Sequence, residues 1–439
     1  MVLKINCISF VRFFLLGISL LCAITISAQV SPIAQDTSGD KILIDHFGKL
    51  IEDREGIESV KWISEGLQLR IDSTNIYADS AVIYAEDRVF AYKDVVIQQG
   101  DSLHVFTDTL YYFRETDIAE LVGEVVLEQG TRQLWTTNLT YHLGERFGEY
   151  HQGGVLVDKS LQVSSKRGIY HAGSEEIIFK DSVIVLHPKF DLAADSMTYR
   201  AGERKVLFTG PTNIYTKTSK IYCEGGFYDL NTETAEFNKN AQYAGQNKTA
   251  TADTIRYFSK QSEVLMMGNV NVQETDRKIS GESLRYLEKT GETWIKGSPA
   301  IYKDSTRSIV GPEIFYNEKT NQLTTIGPSE ISDGSQRIRM DKFNYNQETG
   351  LSEATGNVEW RDTLQNLGIR SDQMNYSKKT GYVLAYGEGR SMFFTVVDGD
   401  TLYISADTLN METVIDTMHL DSLGQPDSIR MIRAFHDVR

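Results

Sequence analysis

Between residues 60 and 410, apolar side chains recur at every second position in short runs separated by polar turns, the alternation expected of half-buried β-strands. The runs themselves repeat. Tyr84, Tyr112, Tyr141, Tyr170, Tyr199, Tyr228, Tyr257, Tyr286, Tyr316, Tyr345 and Tyr376 stand 28 to 31 residues apart, and most intervals are 29. A fixed period in that range is the mark of stacked units, each too small to bury its own apolar face. Two residues before the tyrosine comes a second apolar position, as at Leu110, Leu139, Met197, Ile255, Leu284, Phe343 and Met374, so the two share one face of a strand. Turn chemistry follows, for example Asn231-Thr232-Glu233 and Lys289-Thr290-Gly291.

The apolar face returns seven and nine residues after the tyrosine, as at Ile177 and Phe179 or Val264 and Met266. Two residues further on stands Gly123, Gly210, Gly268, Gly297, Gly327, Gly356 or Gly387, in seven of the eleven units. Glycine inside an alternating strand predicts a bulge or sharp bend. Alternation then resumes, as at Val270 and Val272, before a second polar turn. One unit therefore reads as strand, turn, bent strand, turn. About a dozen units of about 29 residues predict an all-β, elongated repeat with a continuous apolar interior. The pattern extends as a degenerate unit to about Lys41 and as far as Met411. Residues 412–439 read as an insertion and an incomplete final repeat, in which Phe435-His436-Asp437-Val438 echoes Tyr92-Lys93-Asp94-Val95. Only Ile42 to Ile51 suggests a short helix.

Composition changes this picture at the N-terminus. Residues 1–28 place Lys4 and Arg12 before the apolar run Phe13–Ile26 and end on Ser27-Ala28, the order of a cleaved secretory signal peptide. A polar N-terminal segment, 29–40, leads into the repeats. Cleavage would remove Cys7 and Cys22, leaving Cys223 alone and no internal disulfide. The leader's two cations are its only charges, so the net charge of the mature chain moves from -15 to -17. Such a balance argues against nucleic acid as a partner.

No catalytic or nucleotide-binding motif is present, the eight histidines lack metal-ligand spacing, and neither a catalytic residue, a cofactor nor a metal is expected. Asp108, Asp195, Asp253, Glu282, Asp341, Asp372 and Asp407 each precede a tyrosine, or its equivalent, by four residues. Calcium between rungs is one reading of this ladder. Capping of backbone groups is the more ordinary one. The tyrosine column likewise reads as packing, ring against ring along the stack.

Units such as Ala252-Asp253-Thr254-Ile255-Arg256-Tyr257 followed by Gly268-Asn269-Val270-Asn271-Val272, and the run Gly356-Asn357-Val358-Glu359-Trp360, resemble the OstA-like (organic solvent tolerance) repeats of the LptA-LptC-LptD family of lipopolysaccharide transport. The chain looks most like the long, barrel-less OstA-like proteins of Bacteroidetes. The resemblance implies a V-shaped β-jellyroll of stacked antiparallel strands in the periplasm, associated with the outer membrane without spanning it. It implies lipopolysaccharide or a similar acylated glycolipid as ligand, and other Lpt-type jellyrolls as partners through edge-strand pairing. The residues flanking the bend are then candidates to line the lipid groove: Val125, Leu127, Val183, Val185, Phe208, Ile214, Met266, Val270, Val272, Val358 and Trp360. Two other readings remain open. A closed β-solenoid would serve as adhesin or spacer with a filled interior, and a polysaccharide lyase would need a cluster of Lys, Arg and Asp or Tyr on one wall. Alternation alone does not separate an open V from a filled one.

Overall fold

The computed structural model describes residues 42–53, 59–346, 348–377, 379–397, 399–420 and 426–439. The predicted signal peptide and the segment 29–40 lie outside the described residues. The described chain is all-β: 33 strands join through antiparallel pairings, mostly between neighbours in sequence. Strand Glu263–Glu274, for instance, pairs with Arg277–Leu287, which pairs with Glu292–Asp304. The segment expected as a helix is a correction, because Leu43–Asp53 is a strand along Val60–Ile71. A weak local helical period loses to a ladder of backbone hydrogen bonds.

Nearly every long strand is bent near its middle, and the bend is visible in the register. Glu263 faces Leu287 and Met267 faces Ser283, but past the bend Val270 faces Gly281, one residue out of step. The same slip recurs between Tyr92 and Val95, Val122 and Val125, Lys180 and Val183, Asn238 and Ala241, Ile326 and Ser329, and Thr355 and Val358. The extra residue is a β-bulge, and stacked bulges make a row of corners dividing the sheet into two walls of a V. We call the wall that carries the tyrosines the first and the half-strands beyond the corner the second.

The corners need a left-handed backbone. Gly268 and Asn269 have φ of 72° and 49°, Gly356 and Asn357 of 77° and 47°. Where glycine is missing, other pairs adopt the same shape: Lys93-Asp94, Asp181-Ser182, Lys239-Asn240 and, near the C-terminus, His436-Asp437. Gly123 and Gly327 share the positive φ, whereas Gly210, Gly297 and Gly387 do not and serve differently. Gly210 lies in a gap between Lys205–Phe208 and Thr212–Tyr215. At Gly297 a Cβ would press on the Glu282 backbone nitrogen at 3.0 Å, and at Gly387 it would collide with Asp372.

The acidic ladder closes these corners from the neighbouring strand. Asp108 accepts the Glu124 N–H at 3.0 Å, Asp253 and Asp341 accept the side-chain amides of Asn269 (3.0 Å) and Asn357 (2.7 Å), and Asp372 accepts the Gly389 N–H at 2.7 Å. Backbone capping is thus observed at Asp108 and Asp372, whereas Asp253 and Asp341 hold the side chain of the corner asparagine. Among the described residues no group of three or more His, Cys, Asp or Glu is placed to hold a metal.

Gly268 combines a positive φ with the Asp253 carboxylate where its Cβ would stand. Gly268→Val is expected to lower the chemical-denaturation midpoint by the equivalent of about 1–3 kcal/mol. Gly173→Ala, with no positive φ and nothing near the added carbon, should leave it unchanged.

Candidate functional site

Alternation sends three side chains per half-strand into the space between the walls. On strand Lys248–Phe258 these include Ala250, Ala252, Ile255 and Tyr257, and on Glu263–Glu274 Val270, Val272 and Glu274. The resulting core is continuous from Ile63 to Met411. Tyr84 is the exception in the tyrosine column. Its interval to Tyr112 is 28, which reverses its parity, and it faces outward against Phe90 at 5.2 Å. Ile83, 29 residues before Tyr112, takes the inward place and is buried.

The tyrosines of the first wall meet, across the mouth of the V, the third inward position beyond the corner on the second wall. That column reads Gln99, Gln129, Asp158, His187, Thr216, Gly245, Glu274, Asp304, Asp333 and Asp362, spaced 29 or 30 residues apart. Its first three members bridge the gap. Tyr141 Oη donates to Gln99 Oε1 at 2.8 Å, Tyr170 Oη to Gln129 Oε1 at 2.5 Å, and Tyr199 Oη to Asp158 Oδ2 at 2.6 Å. Gln99 and Gln129 also donate to the carbonyls of Leu143 (3.0 Å) and Ala172 (3.3 Å), and Arg132 pairs with Glu175 at 2.9 Å. Tyr141, Tyr170 and Tyr199 are fully buried. Burial raises all three phenol pKa values above the usual range, that of Tyr170 to about 12. From Gln99 to Tyr199 the V is therefore filled and latched shut.

The next three members cannot bridge. The His187 ring packs on Phe190, Thr216 is too short, and Gly245 has no side chain. At these rungs the interior widens into a cavity of about 450 Å³. Phe208, Ile214, Phe237, Ile255, Met266, Val272, Ile279, Leu284 and Ile295 line its apolar floor. Tyr228, Tyr257, Tyr286 and Tyr316 now stand half-buried at its sides instead of sealed within it. At the rim Lys189 pairs with Glu233 at 2.7 Å, the Lys248 ammonium lies 4.9 Å from the Tyr286 ring, and Arg277 pairs with Glu274 and Glu318. Toward the N-terminal end Phe190 packs edge-on against Tyr228 at 5.1 Å. Toward the C-terminal end Tyr302 meets Tyr316 at 5.7 Å. Further on, Arg430 crosses to the last mouth residue, Asp362, at 3.3 Å.

The expected groove residues fall into separate groups. Val125, Leu127, Val183 and Val185 lie in the latched stretch and are at most 1% exposed. Phe208, Ile214, Met266 and Val272 come together around the chamber. Val270 is buried beside the corner, outside the chamber wall, and Val358 is buried further along. Trp360 lines a separate cavity of about 100 Å³ with Tyr345 and Tyr376. Sequence reasoning passed over the mouth column. Its 29-residue spacing was available as a signal, but chemical variety from Gln to Asp, His, Thr and Gly hid it.

Such an arrangement defines a β-jellyroll whose apolar interior is latched in one stretch and opens into a chamber in another. Residues 39–195 match the family of OstA-like proteins, and residues 162–292 match the LptA/LptD N-terminal domain family of lipopolysaccharide transport proteins. Together the two spans run from residue 39 to residue 292, and they support an OstA-like/Lpt-family protein. No curated protein matches it. Among solved structures, LptH of Pseudomonas aeruginosa, the LptA-homologous periplasmic component of the lipopolysaccharide transport device, is 19% identical over 23% of this chain and 76% of its own, with a TM-score of 0.22. The WD40 domain of SCAP from fission yeast is 8% identical over 90% of each chain, with a TM-score of 0.11. At these TM-scores neither superposition bears on the fold.

The latch has a pH signature. The fold favours the neutral phenol of Tyr170, so its contribution is complete below pH 10, where a free tyrosine begins to ionise, and is lost as pH rises toward about 12. Tyr170→Phe is expected to cost about 1–2 kcal/mol at pH 7. Melting curves between pH 9 and 11.5 should show a shallower alkaline decline for the variant than for the parent.

Proposed function

We propose that this protein is a non-catalytic carrier of lipopolysaccharide or a similar acylated glycolipid, holding acyl chains between its walls and passing them toward the outer membrane. The observation that carries the reading is the chamber, an apolar floor beneath a rim of tyrosines, hydroxyls and paired charges. Cargo of matching amphipathy would bury its hydrocarbon at about 0.8 kcal/mol per methylene, enough to bind without help from bulk charge. That resolves the apparent conflict between an acidic chain and a phosphate-bearing lipid. Phe208, Ile214, Met266 and Val272 are the proposed hydrocarbon contacts, and no covalent step is asked of the protein.

Similarity to these families supports a place in the periplasm, reached through the leader read in residues 1–28. No helix among the described residues is long and apolar enough to cross a membrane. Partners would join at the end strands. Among the described residues, strand Leu43–Asp53 pairs only with Val60–Ile71 and exposes Leu43, Phe47 and Ile51, an edge to which another jellyroll could add a strand. The spacer reading draws support from the filled stretch, and a single experiment separates the two.

Photo-crosslinking residues placed at Ile214 and Met266 should capture glycolipid in cells, whereas the same residue at Val125, in the latched stretch, should capture much less. Equal capture at all three, or capture at none, would sink the carrier reading.

A further inference from the structure

We infer that two copies of this chain pack face to face through the outer surface of the second wall, about a two-fold axis that runs along its strands. Beyond the corner the register brings outward side chains of neighbouring strands into line. One line reads Val96, Phe106, Val126, Trp135, Val155 and, past Ser164, Ile184. A parallel line, two residues further from the corner, includes Val157 and Leu186. Phe106, Trp135, Ile184 and Leu186 each keep 37% to 49% of their surface exposed. From strand Thr74–Ala78 to strand Glu176–His187 the two lines hold no lysine or arginine and a single carboxylate, Glu128. Nearer the C-terminus the outward positions of the same wall carry Arg337, Arg339, Glu359 and Arg361 instead. Depletion of charge with enrichment of aromatic side chains is the composition of an interface centre. A lipid surface fits less well, because an acidic chain offers no cation in these lines to hold a headgroup.

The ends of the second line point to a copy of the same chain. That line begins at Arg70 and ends at Asp191, with Glu128 and Gln133 paired at its middle. A two-fold axis between those two reverses the line without shifting it, so Arg70 of one copy faces Asp191 of the other and Glu128 faces Gln133. The first line reverses with it, setting Trp135 on Val126 and Phe106 on Val155. No like charges meet. Arg70 holds its own Asp45 at 3.1 Å, and a guanidinium has donors left for a second carboxylate. Two twisted sheets stacked in this way cross at about 30°, the ordinary geometry of a sandwich. Eight strands about 4.8 Å apart, with two lines each about 7 Å wide, give a footprint of roughly 500 Å² per copy and about 1,000 Å² in the pair. An area at that lower bound for a specific contact predicts a reversible dimer, with a dissociation constant of about 1–100 µM. The contact uses neither the end strands nor the mouth of the V, so it adds to edge pairing instead of replacing it.

The test is sedimentation velocity of the mature chain from micromolar to several hundred micromolar, with melting curves as the check on folding. Trp135→Lys and, independently, Ile184→Lys should each weaken self-association about tenfold or more, whereas Val310→Lys, on the same wall beyond the apolar lines, should not. Asp191→Arg should weaken it by setting Arg70 against a second cation, and the double variant Arg70→Asp with Asp191→Arg should restore it. A chain that stays monomeric throughout, or a dimer that ignores both lysine variants, would overturn the inference. So would failure of the double charge exchange to restore a dimer that Asp191→Arg had weakened. A monomer that binds phosphatidylethanolamine vesicles through Trp135 would overturn it in favour of a membrane-facing wall.

Discussion

Everything in this molecule follows from the two-residue alternation of side chains along strands that are bent at the same place. Because the corners stack, all inward positions of both walls open onto one space, and because the ladder is continuous, that space runs along the whole core from Ile63 to Met411. The single-residue bulge at each corner preserves this arrangement: it turns the chain while returning the next apolar residue to the inner face. Whether the space is solid or hollow is then decided by few atoms, those that meet across the mouth.

Much of this was legible in the sequence, and the limits are instructive. The period, the alternation and the bend could be read because each imposes a residue type: an apolar side chain, a tyrosine, a glycine beside an asparagine. Corners built on Lys93-Asp94 or Asp181-Ser182 were harder to see, since local contacts can hold a non-glycine residue at positive φ. Tyr84 was misplaced by one position, and one position is the whole difference between core and surface. The helix read at Ile42–Ile51 failed because pairing with Val60–Ile71 is a long-range fact. Openness of the V depended on relations between residues about 41 apart, such as Tyr199 with Asp158, which no local pattern displays.

The division into latched and open stretches also reconciles two readings that the sequence left in balance. A filled interior is found where tyrosines are capped by Gln99, Gln129 and Asp158, and a hollow one where His187, Thr216 and Gly245 take those places. Both states occur in one chain on one backbone geometry. The same tyrosines serve as core in the first stretch and as chamber wall in the second.

Between Gln99 and Gly245 the mouth column thus follows the state of the interior, with latching side chains over filled rungs and His187, Thr216 and Gly245 over hollow ones. Repeats of this kind can resize the interior space by point substitution while the backbone stays constant. Gain or loss of residues is confined to turns and corners, where the 30- and 31-residue intervals of this chain are found.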